Sequence, residues 1–133
     1  MNIYPQKPAR NFKVGKPENK IVMKDCGKII LEPDEQITFT DSSGLEYDVA
    51  RKDWGFYATP SLNGRLKSFG LNGVLIKNKD SGRFFVLLVE EGKEDLFKNY
   101  CKKENLIVVS WLNSDSSLTA LEALTSKISE FLG

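Results

Sequence analysis

The chain is 133 residues long, 41% hydrophobic and 28% charged, with 19 cations against 18 anions and no histidine. A domain of this length removes roughly two-thirds of its unfolded surface from water on folding, so it needs no disulfide or metal to hold it. A net charge of +1 argues against nucleic acid as a partner, and without histidine the chain itself cannot build serine-histidine or cysteine-histidine nucleophiles or histidine-liganded zinc.

The charge is uneven along the chain. Residues 1–20 hold Lys7, Arg10, Lys13, Lys16 and Lys20 against Glu18, a local +4, and the remainder is −3. Pro5, Pro8 and Pro17 interrupt any periodicity, so this segment reads as a flexible basic N-terminal arm, either resting on the domain or recruiting an acidic partner. Residues 21–133 are expected to form a single α+β domain. It opens with "IVMKDCGKIILE", two β-rich runs joined by a tight turn or bulge near Cys26-Gly27. In "QITFTDSSGLEYDV", Ile37 and Phe39, then Leu45, Tyr47 and Val49, alternate with polar residues around a turn-forming "DSSG". That pattern predicts a hairpin with one apolar face and one face in water.

The alternation runs on through Trp54, Phe56 and Ala58 to Pro60, which predicts a strand reaching Thr59, with Trp54, Phe56, Leu62, Leu66 and Phe69 as core anchors. A second hairpin follows in "GVLIKN", "KDSG" and "RFFVLLVEE". Phe84 to Val89 offers no polar position on either face, which predicts a central strand covered on both sides. "KEDLFKNYCKKEN" places Leu96, Phe97, Tyr100 and Cys101 on one helical stripe, with acids first and lysines last as the helix dipole prefers. "LIVVSWL" reads as another doubly buried strand, and strand, helix and strand together predict a right-handed parallel crossover. Last, Leu118, Leu121, Leu124, Ile128, Phe131 and Leu132 recur at helical spacing behind a cap at Asp115 or Ser116. The predicted architecture is α+β: antiparallel hairpins leading into a β-β-α-β-α unit whose two helices pack on a mixed sheet.

Motifs for cofactor chemistry are missing. Neither a GxxxxGK[ST] loop, a GxGxxG turn nor a calcium-loop spacing occurs, so no cofactor and no metal are expected. The longest apolar runs fall well short of the roughly 20 residues a membrane helix requires. Two widely spaced cysteines, Cys26 and Cys101, suit reduced thiols, and the expected setting is the cytoplasm, away from membranes. Cys101 reads as a buried structural thiol, and Cys26, flanked by Lys24 and Lys28, lacks a neighbouring base or resolving partner.

The stretch "DWGFYATPSLNGRLKSFG" carries the densest set of candidate site residues. Trp54 and Tyr57 offer an aromatic platform, Ser61 and Asn63 neutral hydrogen-bonding groups, and Arg65 and Lys67 cations, an inventory that suits an anionic or hydroxyl-rich small ligand. The same residue types anchor protein interfaces. The plainest reading is a structural bend in which Trp54 fills the core and Arg65 pairs with Asp53. The functional expectation is a small cytoplasmic binding or accessory domain that holds a partner protein or an anionic small molecule through residues 51–67. Self-association is a further use of the same patch. The alternative is a metal-free isomerase or lyase on a sugar-like or phosphorylated substrate, with Asp53 or Asp48 as general acid or base, Tyr57 as proton donor and Arg65 as anion clamp.

Overall fold

A computed structural model describes residues 1–18 and 20–132, with side chains described up to residue 127. Among the described residues the chain is mixed α+β, with eight strands in three antiparallel sheets and three helices. It divides into two compact units, Met1–Phe39 with Tyr47–Thr59, and Thr40–Glu46 with the residues from Pro60 onward.

In the first unit, β1 (Asn2–Val14) pairs antiparallel with β2 (Ile21–Ile30). Residues 2–14, expected as a flexible arm, are therefore a strand. Prolines do not forbid this, because β1 is one edge of a two-stranded ribbon and Pro8 lies where the ladder is interrupted. The interruption sets residues 6–9 of β1 against Cys26 alone, so the expected irregularity at Cys26-Gly27 is a bulge whose extra residues lie on β1, opposite an unbroken β2. Gly27 has φ +138°, and a Cβ there would collide with the Tyr4 carbonyl oxygen.

A second sheet has the order β3 (Gln36–Thr40), β4 (Glu46–Lys52), β5 (Gly55–Ala58). The "DSSG" turn joins β3 to β4 as its chemistry predicts: the Asp41 carboxylate accepts from the Ser43 amide and hydroxyl at 2.9 and 2.6 Å. Those bonds hold the Asp41 carboxyl below its usual range, the Ser43 hydroxyl contributing most. The strand expected to run from Leu45 to Thr59 instead folds back on itself. Lys52 pairs with Gly55, Arg51 with Phe56 and Ala50 with Tyr57, leaving Asp53 and Trp54 as a two-residue loop. Gly55 permits the reversal, since its φ of +147° is one that residues with a Cβ rarely adopt.

The second unit opens with α1 (Arg65–Ser68), a single turn that leads into β6 (Leu71–Asn78). β6 pairs on one side with β7 (Phe84–Glu90) and on the other with β8 (Leu106–Trp111), giving the order β7-β6-β8. α2 (Glu94–Glu104) connects β7 to β8, and α3 (Asp115–Leu132) follows β8. The β-β-α-β-α order is as predicted. The sheet is not mixed, however: both outer strands run antiparallel to β6, so β7 and β8 are parallel to each other but separated by it. The apolar runs "FFVLLV" and "LIVVSWL" accordingly form edge strands, and Phe84, Phe85, Val86, Ile107, Val108 and Val109 remain exposed.

The core lies on one face of this sheet. Val74, Ile76 and Val89 are buried there, with Leu87, Leu106, Phe97 and Trp111 packed around them. α2 covers that face through Phe97, whose ring meets Trp111 edge-on at 5.9 Å. α3 is capped one residue earlier than expected, by Ser114, whose Oγ accepts the Ser117 amide at 3.2 Å. Beyond its first turn, Leu121 and Leu124 stand exposed, and Ile128, Phe131 and Leu132 of the expected stripe have side chains outside the described residues. Among the described residues no helix is long and apolar enough to cross a membrane.

Candidate functional site

The sequence-derived site residues fall in both units. Trp54 and Tyr57 belong to the β4–β5 hairpin of the first, and Ser61, Asn63, Arg65 and Lys67 surround α1 in the second.

Around α1 the polar groups serve the turn itself. Ser61 Oγ accepts the Arg65 amide at 2.9 Å and so starts the helix in the manner of a cap. Asn63 Nδ2 donates to the Asp115 carboxylate at 2.7 Å, tying the turn to the start of α3. The Arg65 guanidinium lies over the Phe69 ring at 5.5 Å. Leu66 is buried, which bears out one expected core anchor, and Lys67 is exposed. The short helix was not foreseen, because a four-residue element carries no amphipathic period.

On the β4–β5 hairpin the aromatics behave differently. Trp54 is 70% exposed and Phe56 65%, so neither is the core anchor that alternation suggested. Alternation assigns residues to faces of a strand; it does not say which face is covered. The hairpin is held by its own cation. Arg51 Nη1 donates to the carbonyl oxygens of Lys52 and Gly55, the latter at 2.8 Å, and the guanidinium stacks over Phe56 at 5.3 Å. Lys52 donates to Asp34 at 2.6 Å, which keeps its ammonium protonated to higher pH than usual. Asp53 is exposed beside Trp54 in the loop, and Tyr57 is exposed on β5 opposite Ala50. The result is a braced hairpin that presents an indole and a phenol to water.

The two buried carboxylates are opposite in character. Asp48 on β4 accepts the Thr38 hydroxyl at 2.6 Å across the sheet, so its carboxylate is built into the fold. Glu104, on the last turn of α2, has Oε1 sealed from solvent with no hydrogen-bond partner. No sequence argument singled out Glu104. A signal was present, since Phe97, Cys101 and Glu104 follow i, i+4, i+7 and share the inward stripe of α2. Among the described residues, no three His, Cys, Asp or Glu side chains gather as a metal site would require. No protein-family model, curated protein or solved structure matches this chain.

Proposed function

We propose that this chain is a small protein-binding accessory module of the cytoplasm, docking onto a partner protein through the β4–β5 hairpin. The observation that carries this reading is the exposure of Trp54, Phe56 and Tyr57 on one braced hairpin. Large aromatic side chains supply much of the binding energy at protein interfaces when they enter a partner's pocket. The Arg51 brace and the two-residue loop fix the hairpin before binding, so little conformational entropy is lost on docking. The neighbouring cations favour an apolar partner over an anionic small ligand. Arg51 is spent on its own hairpin and Lys52 on Asp34. The occupant is therefore an apolar pocket on another protein that receives the Trp54 indole. Two free cysteines suit a reducing compartment. The isomerase or lyase alternative asks Asp48 or Asp53 to exchange protons with a substrate; Asp48 is bonded within its own sheet, and Asp53 stands exposed on the hairpin loop.

Replacing Trp54 by photoreactive benzoylphenylalanine in living cells tests this. The expected product is one discrete adduct with a different protein, lost when F56S and Y57S are added. An adduct of two copies of this chain would reassign the hairpin to self-association. An adduct pattern no different from that of a probe at exposed Thr40 would sink the docking reading.

A further inference from the structure

In the second unit, between the β7 edge of the sheet and the C-terminal half of α2, lies a cavity of about 240 Å³. Its walls are Ile76, Asn78, Phe85, Leu87 and Leu106 from the strands and Tyr100 and Glu104 from the helix, the Asn78 side-chain carbonyl oxygen being bonded to the turn amides of Asp80 and Ser81. The walls are apolar and aromatic except at Asn78 and Glu104. The latter is only 9% exposed, and its Oε1 has no hydrogen-bond partner. Its place on the helix also opposes a carboxylate. It sits at the C-terminal end of α2, where the helix dipole disfavours negative charge, and the nearby Lys102 and Lys103 are exposed. A buried carboxylate without a partner is destabilising, and natural structures rarely keep one without a use.

We propose that this cavity is a binding site for a small organic cation, a primary ammonium carried on a short alkyl or aryl body. Glu104 accepts the ammonium N–H once its carboxylate turns toward the cavity, since Oε1 is sealed from solvent where it stands, and the rings of Phe85 and Tyr100 attract the same positive charge. Ile76, Leu87 and Leu106 cover the apolar body. The volume is smaller than the roughly 300–1,000 Å³ of pockets for drug-sized ligands, so the body is short. A metal ion is not the expected cation, because Glu104 is not joined by two further ligating carboxylates or thiols among the described residues. The site shares no residue with the β4–β5 hairpin and stands or falls independently of the docking proposal.

The ammonium group has two sources, a free amine or the lysine side chain of a peptide. Phenethylamine and n-butylamine represent the first, and Nα-acetyl-lysine methylamide the second. Each is titrated into the full chain and followed by amide NMR shifts and by thermal unfolding. An amine of either kind is expected to bind saturably, to move the amides of Ile76 and Glu104, and to raise Tm by about 4–7 °C at ten times Kd. Phenethyl alcohol has the same shape without the charge and should bind at least tenfold more weakly. E104Q should weaken amine binding by a similar factor. Equal binding of the alcohol, unchanged binding to E104Q, shifts confined to other residues, or no saturable response to any of the three amines would each overturn the proposal. If E104Q fails to fold, the comparison of amine with alcohol on the unaltered chain decides.

Discussion

Burial on the inward stripe of α2 pushes the Cys101 thiol above its usual pKa, because the thiolate is poorly solvated there. The fold therefore favours the neutral thiol. The stability this contributes is fully present below the ordinary thiol pKa and is lost as pH rises through the raised, folded-state value. Cys26 is exposed, its Sγ lying 3.7 Å from the Lys24 carbonyl. An alkylating reagent at neutral pH is thus expected to label the native chain once, at Cys26, and the urea-unfolded chain twice. Rapid double labelling without denaturant would contradict the buried position of Cys101. That assignment was legible in the sequence, since Cys101 shares a helical stripe with Phe97. Glu104 was not. A charged residue on an apolar stripe is ordinarily read as the stripe's end, and only the coordinates show its oxygen shut away. Trp54 and Phe56 err in the other direction, apolar residues whose strand face has no neighbour to cover it.

The elements that could be read were those whose turns carry their own chemistry. "DSSG" after β3 supplies its own acceptor for turn amides, Asp41, and "KDSG" after β6 takes one from Asn78, the residue just before it. The β4–β5 reversal at Asp53-Trp54 has no such acceptor and depends on Gly55 and the Arg51 brace, so it looked like continued strand. β1 was hidden for a different reason: a strand without alternating apolar residues is defined by its partner, and β2 pairs with it from Val14 with Ile21 out to Asn2 with Ile30. Two glycines separate backbone freedom from close approach. G55A introduces only the strain of its φ, about 1–2 kcal/mol, because nothing lies within 4 Å of the new Cβ. G27A adds to similar strain a collision with the Tyr4 carbonyl and the backbone of Pro5 and Gln6. A two-stranded ribbon is marginal to begin with. G27A is therefore expected to abolish hydrogen-exchange protection along β1 and β2, and G55A to leave that ladder as it was. Preserved β1–β2 protection in G27A would show that the bulge can absorb a side chain.

At the scale of the whole molecule, the apolar core belongs to one unit alone. Among the described residues, Leu66, Leu71, Val74, Ile76, Val89 and Cys101 form the buried apolar core, and all lie in the unit containing β6, β7, β8 and α2. In the other unit Asp48 is the buried side chain among the described residues, and the ribbon of β1 and β2 leaves Ile3, Tyr4, Val22, Met23, Ile29 and Ile30 exposed. Burial of apolar area is the main favourable contribution to folding, so the two units cannot share one stability. The β1–β2 ladder should open in local events costing far less than global unfolding, while the amides of β6 around Val74 and Ile76, hydrogen-bonded on both sides and shut from water, exchange only when the second unit unfolds. Native-state hydrogen exchange in increasing urea measures this directly. The β6 amides are expected to follow the urea dependence of global unfolding, and those of β1 and β2 to exchange with little urea dependence and at least 100-fold faster. Exchange of both ladders in one urea-sensitive step would mean that the first unit draws its stability from surfaces other than its own core.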